Sequence, residues 1–212
     1  MNPPRHPAPL PNWLIVVAAV VAALGLWLGQ RYFAAPVPSR LANAVLYPSP
    51  RPIVDFRLTR TDAQSLTTSD WHGHWSVVYF GYTHCPDVCP TALATFAKVW
   101  KDLHARGLSE HVRFYFISVD PQRDTPQILR RYVDLFDPDF VAATGADAEL
   151  TALTRALGLI YTRTTGVNGE IQVEHSGSAV IVDPHARQVG IFRPPFAAHA
   201  LAGDLATLVA GD

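Results

Sequence analysis

The sequence predicts an α/β fold, a mixed β-sheet flanked by helices, with one apolar helix ahead of it. Three observations predict this. From residue 53 onward, strand-length stretches rich in aromatic and β-branched residues alternate with amphipathic stretches of helix length. Two later pairs of strand-like stretches are joined by turn signals, Asn168-Gly169 and Asp183-Pro184, which adds antiparallel hairpins to the alternating pattern. An uncharged run near the amino terminus stands apart from that alternation.

Residues 1–12 carry prolines at 3, 4, 7, 9 and 11 and are expected to be disordered. Residues 13–29, WLIVVAAVVAALGLWLG, contain no charge. As a helix this run would span ~26 Å, slightly less than the ~30 Å hydrocarbon core of a bilayer. Trp13, Trp27, Tyr32 and Phe33 fall where an aromatic belt would lie, and Arg31 can snorkel to the interface. Proline-rich sequence on both sides leaves a buried helix nothing to pack against, so a transmembrane anchor is expected. Ala34-Ala35-Pro36 is a poor cleavage site because of its proline, so the anchor is expected to be retained. Residues 30–52, with prolines at 36, 38, 48, 50 and 52, are expected to form a semi-rigid linker to a domain spanning 53–212.

Within that domain, 53–59 alternates as a one-sided strand, and 75–82 (WSVVYFGY) has the composition of a central strand. Pro90 suits a first helical turn, and Leu93, Phe96, Ala97, Trp100 and Leu103 form an apolar stripe behind it. Residues 112–119 (VRFYFISV) predict a second buried strand, and Asp124-Thr125-Pro126 a helix start for 128–136. A short strand over 140–143, a helix over 146–157 ending at Gly158, and hairpins 159–164/170–174 and 179–182/189–193 follow. A last helix covers 196–209.

Composition removes several functions. A net charge of −1 without blocks of like charge argues against nucleic-acid binding. Two cysteines are too few for a disulfide-stapled scaffold.

Both cysteines, Cys85 and Cys89, lie at one strand-to-helix turn, where a helix dipole and amide donors are expected to lower a thiol pKa. At i and i+4 in helical geometry their Cα atoms would be about 6 Å apart, within disulfide range. The pair can therefore oxidise, or converge on one ion when reduced. Two thiolates suit copper(I), whereas zinc would want two more ligands. Among the nine histidines, His6, His72, His74, His104, His111, His185 and His199 read as solvated polar residues. His84 adjoins Cys85, but adjacent side chains in an extended turn point apart. His175 follows a strand and precedes Ser176-Gly177-Ser178; from spacing alone it is either a polar residue or a ligand.

Three segments in order, GYTHCPDVCPT from Gly81, SVDPQRDTP from Ser118 and Glu174-His175-Ser176, resemble the Sco/SenC family. Members are membrane-anchored, thioredoxin-like copper chaperones for cytochrome c oxidase assembly. The resemblance covers roughly residues 45–210 and implies that Cys85, Cys89 and His175 bind one copper ion per chain, as Cu(I) or Cu(II). It also implies delivery to the binuclear copper site of cytochrome c oxidase subunit II, with other copper chaperones or thiol reductants as further partners. The soluble domain would lie on the periplasmic side of the inner membrane, although Arg31, Arg40 and Arg51 against Arg5 count the other way. Glu174 stands where many relatives have aspartate. Bound as thiolates, the cysteines would release protons on copper uptake, which weakens binding in acid. Asp87 is expected to accept backbone hydrogen bonds inside the loop, and Asp120 to reach the edge of the site or the partner, both behind the ligands. Asp124 and Thr125 read as a helix cap, and Pro86 and Pro90 as stiffeners of the loop.

The protein is thus expected to deliver metal and not to be an enzyme. The alternative is a membrane-anchored thiol-disulfide oxidoreductase that uses Cys85 and Cys89 as a redox disulfide to keep the oxidase copper-site cysteines reduced. Against it stand the CxxxC spacing and the lack of any proline between Pro138 and Pro184, where such enzymes carry a cis-proline. A peroxidase-like reading would want an arginine beside the motif, and the sequence places none nearby.

Overall fold

The computed structural model describes residues 12–33, 41–165 and 171–211. The chain divides into two compact units, Met1–Arg40 and Leu41–Asp212. The first holds helix α1, Asn12–Phe33. Its side chains are described without a break only from Ile15 to Trp27, and among the described residues no helix is long and apolar enough to cross a membrane. The anchor expected over 13–29 is therefore not established by the fold. The disorder expected over 1–12 falls almost wholly outside the described residues.

The second unit contains ten strands and four helices among its described residues. In chain order these are β1 (Ala44–Pro52), β2 (Arg57–Arg60), β3 (Ser65–Thr67), β4 (Trp75–Gly81), α2 (Val88–Ala105) and β5 (Val112–Ser118). Then come α3 (Pro126–Asp134), β6 (Val141–Thr144), α4 (Asp147–Ala156), β7 (Tyr161–Thr165), β8 (Ile171–His175), β9 (Ala179–Val182), β10 (Arg187–Phe192) and α5 (Ala198–Ala210). Eight strands form one sheet in the order β1-β10-β9-β4-β5-β6-β2-β3, and β7-β8 form a separate hairpin. β4, β5 and β6 run parallel; all other pairings are antiparallel, so the sheet is mixed as expected.

β4 is central because nothing in it can face water: all seven of its residues are buried, so both its faces are covered. On one face Tyr79, Phe114 and Phe116 meet Phe96 of α2, Tyr132 of α3 and Phe196 just before α5, with ring centroids 5.6–6.1 Å apart. The stripe foreseen on α2 (Leu93, Phe96, Ala97, Trp100, Leu103) is buried throughout. α3 starts where expected, with Thr125 as its cap and Pro126 in its first turn.

Two expectations are corrected. The linker drawn over 30–52 is too long, because 44–52 is an edge strand on β10. Its prolines concealed it; they are tolerated because the strand lies at the edge of the sheet and its register shifts between Leu46 and Arg51, around Pro48 and Pro50. Gly190 permits the pairing, since a Cβ there would lie 2.4 Å from the Val45 carbonyl oxygen. The strand foreseen over 53–59 is β2, displaced to Arg57–Arg60, and β3 was not foreseen. The turn residues Asn168-Gly169 lie outside the described residues, although β7 and β8 pair on either side of them.

Candidate metal centre

The site lies at the carboxyl ends of the parallel strands β4 and β5. Gly81 pairs with Ser118, and the Val119 amide donates to the Gly81 carbonyl at 2.9 Å. The two motif loops therefore leave the sheet side by side. The first loop turns at Tyr82–Cys85, with the Cys85 amide donating to the Tyr82 carbonyl at 3.3 Å, and enters α2 at Val88. Pro90 falls in the first turn, where a missing N–H costs nothing.

Cys85 and Cys89 are both buried, at 8% and 0% exposure, and neither forms a disulfide. The Cys89 amide donates to the Cys85 sulfur at 3.4 Å, so Cys85 caps the amino-terminal turn of α2. The Cys85 thiol, the Tyr79 hydroxyl and the Tyr82 amide all act on the Cys89 sulfur. A Cβ on Gly81 would lie 2.8 Å from that sulfur and 2.8 Å from the Phe116 ring. Only glycine lets Cys89 tuck so closely against the end of β4.

This packing overturns one sequence expectation. Burial pushes the Cys89 thiol far up from the ordinary range, and the amide of Tyr82 opposes that shift only in part. The helix terminus does not prevail, because desolvation of a fully buried thiolate is the larger effect. Tyr79 and Tyr132 are likewise pushed up by burial, with the neighbouring sulfurs adding to the shift.

Asp124 is the residue that sequence reasoning misjudged. It is not a helix cap but is fully buried, and its carboxylate accepts from the Thr83 amide at 2.8 Å, the Thr83 hydroxyl at 2.5 Å and the Ser118 hydroxyl at 2.5 Å. It fastens the cysteine loop to the end of β5. His84 is exposed, with its Nδ1 3.1 Å from Thr83 Oγ1 and 3.7 Å from the Asp124 carboxylate. Asp87 is exposed and makes no side-chain cap; its carboxylate accepts only a 3.4 Å bond from the Thr91 hydroxyl among the described contacts. Among the described residues no backbone amide donates to the Asp87 carboxylate, so the bracing expected of it is not seen there. Asp120 lies just beyond the end of β5, as expected, and is fully buried there, which the sequence did not predict. One of its oxygens accepts from Arg123, and the other has no hydrogen-bond partner among the described residues. Arg123 also lies 5.8 Å from the centre of the Tyr82 ring. An arginine does approach the loop, then, but with its guanidinium on a carboxylate.

The third candidate ligand is placed by its backbone. His175 ends β8, opposite Tyr161 of β7, and its side chain lies outside the described residues. Arg163 of β7 donates from Nε to the Val119 carbonyl at 2.8 Å, which holds the hairpin against the end of β5 beside Asp120. Gly177 lines a cavity of about 390 Å³ together with Tyr79, Asp87, Val88 and Thr91 of the cysteine region. The chain after His175 thus passes the first turn of α2 before entering β9. No proline stands in that passage, but the cis peptide bond, Pro194-Pro195, lines the same cavity, and a Cβ on Gly177 would lie 3.6 Å from Pro194 Cγ. Among the described residues no group of three or more His, Cys, Asp or Glu side chains could hold a metal ion.

Comparison with known proteins agrees with these features. The family model described as SCO1/SenC matches residues 48–210. The chain belongs to the SCO1/SenC family. A putative copper-binding protein of Stutzerimonas stutzeri is 35% identical over 154 residues, which is 73% of this chain and 75% of that protein. Copper-bound ScoI of Arabidopsis thaliana superposes with a TM-score of 0.70 at 29% identity, covering 75% of this chain and 98% of that one. Copper-bound ScoI of Bradyrhizobium japonicum gives 0.68 at 29% identity, covering 74% and 99%. The thioredoxin-like α/β fold implied by the sequence motifs is the one observed. The match begins inside β1, consistent with a domain that starts before residue 53.

Proposed function

We propose that this protein is a copper metallochaperone in which Cys85, Cys89 and His175 hold one copper ion. The reading rests chiefly on one observation: two buried, unoxidised thiols one helical turn apart at the end of the central strand, in a SCO1/SenC chain similar to copper-bound relatives. Paired sulfurs in a desolvated turn fit a soft, low-coordinate cation such as copper(I). His175 completes the set with a borderline nitrogen ligand that also tolerates copper(II). Its strand ends at the same pole of the sheet as the cysteines.

The recipient is the binuclear copper site of cytochrome c oxidase subunit II, and the domain works on the periplasmic side of the inner membrane. α1 is the anchor. Its 22 residues would extend about 33 Å, and no charged residue occurs from Trp13 to Gly29.

The test is anaerobic titration of the reduced full chain with copper(I) against a competing chelator, beside Cys89→Ser and His175→Ala. One ion per chain is expected. Cys89→Ser should weaken binding by about a hundredfold and His175→Ala by about tenfold or more, since even outer-sphere partners contribute 10–100-fold. Binding by His175→Ala equal to the unaltered protein would overturn the ligand set. The same two thiols can close a disulfide, so insulin reduction is measured on the same samples. Robust turnover would favour the oxidoreductase, against which the CxxxC spacing argues.

A further inference from the structure

At the opposite end of the sheet, His72 and His185 form an isolated antiparallel bridge. The Gly73 amide donates to the Pro184 carbonyl at 2.9 Å, one residue beyond the pair on each strand. The two histidines therefore occupy a non-hydrogen-bonded position, where facing side chains lie closest and on the same side, with Cβ atoms about 4.5–5.5 Å apart. Both residues are exposed.

The backbone that carries them is held firmly. The buried Asp183 carboxylate accepts from the His185 amide at 3.0 Å and from the Arg187 amide and Nε at 2.9 and 2.8 Å. Ala186 closes the turn with φ of 56°, and Gly73 sits at φ of 81°. Neighbouring His74 is engaged elsewhere, its Nε2 3.0 Å from the Tyr115 hydroxyl. Two imidazoles on a braced scaffold, with their other sides open to water, can each reach one ion at about 2.0–2.1 Å.

We propose that His72 and His185 form a second metal site that takes copper(II), with water filling the remaining positions. Imidazole suits this ion, and copper(II) heads the affinity order for divalent first-row metals. The Asp183 carboxylate is not a ligand, because it is already committed to the turn and to Arg187. The site is independent of the cysteines, which lie at the other end of β4.

The experiment uses the full chain carrying Cys85→Ser and Cys89→Ser, titrated with copper(II) and followed by electron paramagnetic resonance with spin-echo detection of imidazole nitrogen. One copper(II) with two equatorial imidazoles is expected. His72→Gln and His185→Gln should each weaken it about tenfold or more. The double variant should bind more weakly than either single one, because each single variant keeps one imidazole on the ion. His175→Ala should leave this signal unchanged. Unchanged affinity in both single variants, or a two-imidazole signal that survives either substitution, would overturn the proposal. Because the background lacks both thiols, the result stands apart from the fate of the cysteine site.

Discussion

Asp124 shows how one buried carboxylate sets the position of a reactive loop. Three donors converge on it, two from Thr83 and one from Ser118, and it has no exposure to solvent. Removing it strands the Thr83 amide and two hydroxyls in a dry space, at about 1–3 kcal/mol for each group that finds no substitute. Asp124→Ala should therefore lower the unfolding free energy by about 2–4 kcal/mol, read from urea denaturation of the reduced protein. Asp124→Asn, which keeps one acceptor oxygen, should lose less. The same substitution should weaken copper(I) binding in the titration described above, because the loop carrying Cys85 loses its tether to β5. Full retention of stability in Asp124→Ala would mean that water replaces the carboxylate. Gly81 acts on the same pair from below, and its requirement is steric, since Cys89 occupies the space a Cβ would need.

The elements most open to sequence reasoning were those with strong periodicity or composition: β4, β5 and α2 lie within a residue or two of expectation. Cys85 and Cys89 were legible too, because strand and helix signals bracket them. β1 was not, since three prolines imitate a linker; what holds it is long-range and leaves no local signal. Asp204, on α5, accepts from the amides of Ala42, Asn43 and Ala44 at 2.7, 2.8 and 2.8 Å, although it stands about 160 residues away. A lone aspartate in a predicted helix gives no hint of such a partner. Asp124 was misread for a similar reason, since a polar residue before Thr-Pro looks like a cap until Thr83 is brought to it. If Asp204 anchors the edge strand, Asp204→Ala should destabilise the domain by about 2–4 kcal/mol. Amide exchange should accelerate through 44–46 before it does in β4. Equal acceleration in both strands would show that β1 opens only with the whole sheet.

For the domain as a whole, the buried Cys89 sulfur at the end of β4 makes stability depend on pH on the alkaline side. In the reduced, metal-free protein the Cys89 thiol is pushed far above its ordinary value, first by burial. A group with a raised folded pKa holds its proton more tightly when folded. Its contribution is complete below the unfolded pKa, about 8.5 for a thiol, and is lost as pH rises from there toward the folded value. One such group can steepen the decline by no more than about 1.4 kcal/mol per pH unit. Tyr79 and Tyr132 are pushed in the same direction by burial, and their unfolded values lie near 10, so they add their share only above that pH. Between about pH 8.5 and 10 the slope should belong mainly to Cys89. Urea unfolding of the reduced chain, with chelator present, should therefore lose stability over this interval. Cys89→Ala should flatten the curve there while keeping the steeper fall beyond it. An unchanged slope in Cys89→Ala would mean that the thiol ionises as readily in the fold as outside it. Coordination should act the other way: copper(I) replaces the proton on each sulfur, so the loaded protein should show no such loss over the same interval.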